Sequence, residues 1–110
     1  MVRRGSGRTK VSSPSRVEAG PIVIDSERHE ATLRKIPVSL TVAEFRLLRA
    51  LVENPGRVFT RDQLLSVIAG GESVIIDRNI DVHIRSIRKK LSKDGELITA
   101  IRGVGYKFEE

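Results

Sequence analysis

Short runs of apolar residues, separated by turn-forming residues, follow residue 20 and predict β-strands. An apolar run spans 21–24, residues 25–27 have the composition of a turn, and further short apolar segments follow at 31–33 and 36–40. We expect three short antiparallel strands in this region. Pro37 has no backbone N–H to donate to a neighbouring strand, so its strand is expected at the edge of the sheet.

Two helices are predicted by the same N-terminal motif. Thr41 and Glu44 have the spacing of a capping box, in which the Thr hydroxyl accepts a backbone N–H of the first turn and the Glu side chain accepts the N–H of the cap residue. Thr60 and Gln63 repeat this spacing, and apolar residues recur at helical intervals after each box. Asn54 starts an Asn-Pro-Gly sequence that predicts the end of the first helix.

A third helix is predicted from Asp77, as its N-cap, to Leu91 or Ser92. Its apolar residues recur at i, i+4, i+7 and i+11, so they form one narrow stripe. At about 100° per residue, the opposite face is basic and also carries one short hydroxyl side chain and one Val. This face consists of Arg78, Val82, Arg85, Ser86, Lys89 and Lys93, with Asn79 on its flank.

Two strand-like runs, 97–101 and 105–108, follow the third helix and are separated by a tight connection, Arg102-Gly103-Val104-Gly105. They predict a C-terminal β-hairpin. An antiparallel sheet, three helices and a terminal hairpin together predict an α+β fold, a winged helix-turn-helix over residues 21–110. Because the major groove of DNA is about as wide as one α-helix, this fold with a basic third helix is suited to duplex DNA.

The chain has 110 residues, which fits one domain, and a formal net charge of +6. Residues 1–20 contain five of the 20 Lys and Arg residues and one of the 14 acidic residues, so most of the net charge lies there. This segment also combines Gly, Ser and Pro with few aliphatic residues, a composition that cannot bury enough surface to order itself. We expect residues 1–20 to form a flexible basic linker or arm before the domain at 21–110.

Several classes of function are excluded by composition. The chain has no cysteine and two histidines, His29 and His83, so thiolate zinc sites, disulfide scaffolds and Cys-His nucleophile pairs are excluded. No cluster of titratable residues suggests catalysis, and we expect no enzymatic activity, no metal and no cofactor. No apolar run approaches the ~18 residues of a membrane span, and the charged N-terminal residues are not followed by an apolar stretch, so we expect no secretory signal, a cytoplasmic protein and no membrane partner.

Contacts with DNA are expected from the third helix, the second helix and the hairpin turn. Arg and Asn side chains match guanine and adenine edges, and a Val methyl matches thymine. Lys side chains, and a cation in the first turn of the second helix, suit phosphates, whereas a guanidinium at the hairpin turn suits the minor groove. The expected residues are Arg78, Asn79, Val82 and Arg85 for bases, Arg61, Lys89 and Lys93 for phosphates, and Arg102 for the minor groove.

The same residues have structural alternatives. A helix with one apolar stripe and a charged opposite face is commonly a solvated surface helix, and Asp81 with Arg85 has the i, i+4 spacing of an ion pair. His83 lies beside the apolar stripe and is expected to pack there, half-buried. A winged helix can also act as a protein–protein interaction module, but an outer face with Arg78 and Arg85 favours DNA.

Four ordered sequence blocks give the chain a specific resemblance. They are TVAEFRLL at 41–48, VFTRDQLL at 58–65, DRNIDVHIR at 77–85 with RKKL at 88–91, and IRGVGY at 101–106. These blocks resemble the effector domain of OmpR/PhoB-type bacterial response regulators. The resemblance implies a four-stranded N-terminal sheet, three helices and a C-terminal hairpin. It also implies transcription regulation by head-to-tail dimers on direct-repeat half-sites of double-stranded DNA, controlled by a receiver domain that a sensor kinase phosphorylates in a two-component system.

Position by position, the resemblance implies a set of functional residues that overlaps the one given by periodicity. The reading helix falls on Arg78, Asn79, Arg85, Ser86 and Arg88, the phosphate contact on Arg61, and the minor-groove arginine on Arg102. Ser86 joins the base-reading set, whereas Arg88 projects from the flank of the helix and is assigned to phosphate. The loop between the second and third helices, about Gly70 to Ile76, is similar to the loop that meets RNA polymerase.

Overall fold

The computed structural model describes residues 9–13, 16–69 and 79–109. Within these ranges, eight strands form two antiparallel sheets, one with the order β1-β2-β3-β4-β5 and one with the order β6-β8-β7. The elements are β1 Thr9–Ser13, β2 Arg16–Ala19, β3 Ile22–Asp25, β4 Glu30–Leu33, β5 Ile36–Val38, α1 Val42–Glu53, β6 Phe59–Thr60, α2 Arg61–Ala69, α3 Ile80–Lys90, a 3-10 helix Ser92–Leu97, β7 Ile98–Ile101 and β8 Gly105–Phe108. The predicted order of sheet, helices and C-terminal hairpin is confirmed.

The N-terminal sheet begins inside the segment that was expected to be a flexible arm. β2 pairs with both β1 and β3, and its residues Val17 and Ala19 are buried, with 5% and 0% of their surface exposed. They alternate with Arg16 and Glu18, the period of a half-buried strand. Residues 16–19 therefore belong to the folded unit, and the domain boundary expected at residue 20 is wrong. The described sheet has five strands instead of the four that the resemblance implies.

The predicted strand edge and both capping boxes are confirmed. Pro37 lies in β5, the last strand of the five-stranded sheet. The Thr41 N–H donates to Glu44 Oε1 at 2.9 Å, and the Glu44 N–H donates to Thr41 Oγ1 at 3.1 Å. Thr60 and Gln63 exchange the same two bonds at 2.9 and 3.1 Å. These local bonds satisfy backbone donors that a helix N-terminus leaves without partners, so they fix where α1 and α2 begin.

The start of α3 differs from the prediction. The helix begins at Ile80, and its N-cap is Asn79, whose side-chain oxygen accepts the Val82 N–H at 3.3 Å. The prediction of Asp77 as the N-cap is wrong. Asn and Asp cap helices about equally well, so the residue type did not distinguish the two positions. The other end is confirmed, since the helix ends at Lys90 and Leu91 is its C-cap.

One hydrophobic core connects the N-terminal sheet, the helices and the hairpin. The apolar stripe of α3 is buried in it, as are Tyr106 and Phe108 of β8. The β8 strand reaches α2 through β6, because Phe59 pairs with Tyr106. Gly105 permits this approach, since a Cβ atom there would lie 1.9 Å from the Phe59 carbonyl oxygen. The sequence around Gly105 thus forms a turn and a close packing contact. Burial of the apolar stripe of α3 holds that helix with its basic face outward.

Candidate nucleic-acid interface

The face of α3 opposite the core is exposed and basic, as predicted. Arg85 and Lys89 are exposed, and Val82 lies on the same face with 45% of its surface exposed. On the other side of the helix, Ile84 and Ile87 are buried with 1% and 0% exposed. The surface therefore combines two cations with one apolar side chain on a helix whose backbone is held by the core.

One flank of α3 faces α1 and uses its polar side chains within the protein. Asn79 caps the helix, and Ser86 is half-buried and hydrogen-bonded to the Glu44 carboxylate. The base-reading roles of Asn79 and Ser86 stay predictions, and each requires the side chain to form a further hydrogen bond. The Asn79 side-chain oxygen must accept a second bond to pair with adenine, and the Ser86 hydroxyl must accept a bond while it donates to Glu44. His83, also on this flank, is half-buried as expected.

Glu44 is a buried carboxylate that joins α1 to α3, a role that the sequence did not suggest. It is 3% exposed, and its Oε1 accepts Lys90 Nζ at 2.6 Å as well as the Thr41 N–H. Burial raises the pKa of Glu44, but hydrogen bonds from Lys90, Ser86 and the Thr41 N–H outweigh burial, so this pKa lies below its ordinary value. The carboxylate is therefore held in its charged form.

A second cluster joins three elements beside the basic face. Asp81, in the first turn of α3, accepts Arg61 Nε of α2 at 3.0 Å and the Tyr106 hydroxyl of β8 at 2.5 Å. The Arg61 guanidinium carbon also lies 5.7 Å from the centre of the Tyr106 ring. Asp81 was considered as an i, i+4 partner of Arg85; its carboxylate is instead hydrogen-bonded to Arg61 and Tyr106, and Arg85 adds a smaller Coulombic attraction. Hydrogen bonds from Tyr106 and then Arg61 lower the pKa of Asp81, while burial and the bond to Asp81 raise the pKa of Tyr106.

The cations predicted to contact phosphate or the minor groove all lie at the surface. Arg61 has 49% of its side chain exposed, although its Nε donates to Asp81, so it presents its remaining guanidinium donors in a fixed direction. Arg88, Lys89 and Lys93 are exposed, and Lys93 lies in the 3-10 helix after α3. Arg102 is exposed in the turn between β7 and β8, so the prediction that it lies at the hairpin turn is confirmed.

The segment after α3 is anchored to the N-terminal sheet by a bidentate ion pair. Arg34 donates to both carboxylate oxygens of Asp94, at 3.0 and 2.9 Å. Arg34 lies in the turn between β4 and β5, and Asp94 lies in the 3-10 helix beside Lys93. Hydrogen bonding from Arg34 holds the pKa of Asp94 below its ordinary value. The sequence did not reveal this pair, because its partners lie 60 positions apart.

Some predicted features cannot be placed. Arg78 and the loop Gly70 to Ile76 lie outside the described residues. Within the described ranges, no group of three or more His, Asp or Glu side chains is arranged to hold a metal ion. Among the same residues, no helix combines the length and the apolar character that crossing a membrane requires.

The sequence of this chain is similar to those of known transcriptional regulatory proteins. The family described as "Transcriptional regulatory protein, C terminal" matches residues 35–108. The transcriptional regulatory protein BaeR of Escherichia coli O6:H1 is 47% identical over 92 residues, which make up 81% of this chain and 38% of BaeR. Across eight curated relatives, the chain spans 38% to 57% of their length.

Solved structures have the same fold. The DNA-binding domain of CpxR from E. coli superposes with a TM-score of 0.73 at 34% identity, covering 89% of this chain and 98% of that domain. The RstA DNA-binding domain of Klebsiella pneumoniae, solved in complex with the RstA box, superposes with a TM-score of 0.70 at 32% identity. That match covers 86% of this chain and 96% of the RstA domain.

Proposed function

The chain belongs to the family of C-terminal domains of transcriptional regulatory proteins, of the OmpR/PhoB response-regulator type, and we propose that it reads duplex DNA with α3 in the major groove and the β7–β8 hairpin in the minor groove. DNA binding in transcription regulation is the function of this family, whose members are effector domains and not enzymes. The proposal concerns how this chain performs that function.

The exposed face of α3 is the observation that carries the proposal. Arg85 can form a bidentate contact with guanine O6 and N7, and Val82 can contact a thymine methyl. Lys89, on the same face, suits a phosphate as a point charge, and Arg88 on the flank suits another. Because the core holds the opposite side of α3, these side chains project from a rigid support.

The hairpin supplies the second contact in this proposal. Arg102 is exposed at its turn, from which a guanidinium can enter a narrow minor groove. Tyr106 of the same hairpin is bonded to Asp81 of α3. Hairpin and helix can therefore approach two adjacent grooves as one body. Arg61, bonded to that same Asp81, can hold the intervening phosphate backbone.

Further parts of the proposal concern the whole regulator. The relatives suggest an output domain in a two-component system, working in the bacterial cytoplasm where the chromosome lies. We include head-to-tail dimers on direct-repeat half-sites, control by a phosphorylated receiver domain, and a contact between RNA polymerase and the loop Gly70 to Ile76. The proposed DNA contacts also include Arg78, Asn79, Ser86 and Lys93.

Selection of bound duplexes from a random pool tests this function directly. A recurring half-site, repeated in the same orientation at a spacing near one helical turn, is the expected result. The selected site should bind at least about 1,000-fold more tightly than random duplex at one salt concentration. Recovery of sequences without a shared motif, with equal affinity for all duplexes, would favour a protein–protein interaction module.

A further inference from the structure

Glu44 connects the N-terminus of α1 to the C-terminal half of α3, because its carboxylate accepts hydrogen bonds from both helices. Its Oε1 accepts the Thr41 N–H within its own capping box and Lys90 Nζ from α3, at 2.9 and 2.6 Å. Ser86, one helical turn before Lys90, is bonded to the same carboxylate. A buried carboxylate with 3% exposure thus holds α3 at two successive turns.

Each of the two α3 residues that Glu44 binds is preceded in the sequence by a cation of the exposed face. Ser86 follows Arg85, and Lys90 follows Lys89. Neighbouring side chains of a helix project about 100° apart. The helix rotation that brings Ser86 and Lys90 onto Glu44 therefore also sets the direction of Arg85 and Lys89.

Apolar packing turns the basic face of α3 outward, but it fixes the rotation of the helix only coarsely. Its buried Ile residues, with Leu91 at the C-cap, form a narrow stripe, and hydrophobic contact is not directional. A hydrogen bond between two charged groups is short, strong and directional, and buried ionic groups are best documented as devices that fix the register of packed helices. We propose that Glu44 is a positioning residue that sets the rotation of α3 and, through Arg85, the base preference of the protein.

This inference rests on the proposed function, because it assumes that α3 reads bases. It assigns Glu44 no contact with DNA, since its side chain is buried between α1 and α3. Stability is a weaker explanation for this partly buried pair, in which 35% of the Lys90 side chain is exposed, because replacing both partners of such a pair with uncharged groups is often nearly neutral. Stability and base preference can therefore be separated by experiment.

The central variant is the double substitution Glu44→Gln with Lys90→Met. Gln can still accept the Thr41 N–H, so the capping box is kept, and Met keeps the apolar stem of Lys90. The double variant removes one negative and one positive charge, which leaves the net charge unchanged. Affinity for the selected duplex and for random duplex is measured at one salt concentration, together with the preference at each base position and the thermal unfolding midpoint.

The expected result separates preference from general DNA attraction. The double variant should unfold near the wild-type midpoint and bind random duplex as the wild type does, because its net charge is the same. Its affinity for the selected duplex should fall about tenfold, with the loss concentrated at the base position read by Arg85. Lys90→Gln, which keeps a donor for Glu44, should lose less of this affinity.

Three outcomes would overturn the inference. A double variant that keeps the wild-type ratio of specific to random affinity shows that rotation is set without Glu44. A preference that changes only in proportion to lost thermal stability shows a purely structural role. If Lys90→Gln lowers random-duplex affinity and the salt slope by about one, Lys90 is a phosphate contact and does not act through Glu44.

An Arg85→Ala variant in the same assay distinguishes failure of this inference from failure of the proposed function. If Arg85→Ala relaxes the base preference while the double variant retains it, the inference about Glu44 fails and the proposed role of α3 stands. If Arg85→Ala also retains the full preference, α3 does not read bases through Arg85, and the proposed function itself has to be revised.

Discussion

Tyr106 of β8 donates a hydrogen bond to Asp81 in the first turn of α3, with 2.5 Å between the hydroxyl and carboxylate oxygens. Arg61, the first residue of α2, donates to the same carboxylate oxygen at 3.0 Å. One acceptor thus fixes the hairpin and the second helix to the proposed reading helix. If α3 and the hairpin bind one duplex, the Asp81 carboxylate therefore sets the distance between the major-groove and minor-groove contacts.

Tyr106→Phe is expected to uncouple the hairpin from α3. The ring still packs in the core, but the bond to Asp81 is lost, which should lower the free energy of unfolding by about 0.5–1.5 kcal/mol. With a loosened hairpin, Arg102→Ala should weaken DNA binding less in the Tyr106→Phe background than in the wild type. A double-mutant cycle on the selected duplex measures this coupling, and strictly additive losses would show that hairpin and helix bind independently.

Arg85→Ala and Lys89→Ala should have different effects although both remove an exposed cation from one face. Loss of the Arg85 base contact should weaken the selected site by about 1–3 kcal/mol and relax preference at one base position. Loss of Lys89 should weaken all duplexes about equally and reduce the salt slope by about one. Titrations of selected and random duplexes at several salt concentrations test the distinction. Identical behaviour of the two variants would refute it.

The stability of the protein should decrease in acid through Glu44. Its folded-state pKa lies below the ordinary value of 4.5, so the charged form stabilises the folded state at neutral pH. This contribution is complete above about pH 4.5 and is lost as the pH falls through the lower, folded-state pKa. Urea unfolding from about pH 7 to about pH 3 should show a shallower acid decrease for Glu44→Gln than for the wild type.

Asp94→Asn is the matched control for this pH dependence. Asp94 also has a lowered pKa, from its hydrogen bonds with Arg34, but the Arg34 side chain is 65% exposed. Solvent screens such a pair, so the Asn variant should alter the acid decrease less than Glu44→Gln. A larger effect for Asp94→Asn would show that the ion pair at the 3-10 helix dominates the acid sensitivity.

The turn between β4 and β5 holds its two residues in a left-handed conformation. Arg34 and Lys35 have φ values of 52° and 72°, as a two-residue hairpin turn with positive φ at both central positions requires. Glycine adopts this conformation without the clash of a Cβ atom, so Lys35→Gly should raise the free energy of unfolding by about 0.5–1 kcal/mol. Lys35→Ala removes the same charge but keeps the Cβ atom. An equal gain from both variants in urea unfolding would assign the effect to charge.

Local patterns predicted the helices well, because their signals lie within one turn of chain. Thr41 and Glu44 form their box three positions apart, and the same spacing predicts the start of α2. The polar clusters behave differently, since Arg61 and Asp81 lie 20 positions apart and Lys90 lies 46 positions from Glu44. No periodicity marks such pairs. Only the packing of α1, α2 and β8 around α3 brings them together.

The N-terminal strands show why composition alone gave the wrong boundary. Val17 and Ala19 are two small apolar residues in a polar segment, too few to order a chain independently. They are buried because β3 offers a hydrogen-bonding edge and the core offers an apolar surface. The strand β2 therefore forms because it pairs with β3 and packs on the core.

Two N-terminal truncations should therefore have opposite consequences. Removal of residues 1–19 deletes β1 and β2 and leaves β3 paired only with β4, and loss of the buried Val17 alone should lower the free energy of unfolding by about 1.5–3 kcal/mol. Removal of residues 1–8 spares both strands and deletes three Arg residues. It should weaken binding to any duplex at low salt without changing the ratio of specific to random affinity. Thermal unfolding and duplex titrations distinguish these effects. An unchanged midpoint after the longer deletion would show that β2 adds no stability, whereas a collapsed ratio after the shorter one would show that this segment reads DNA.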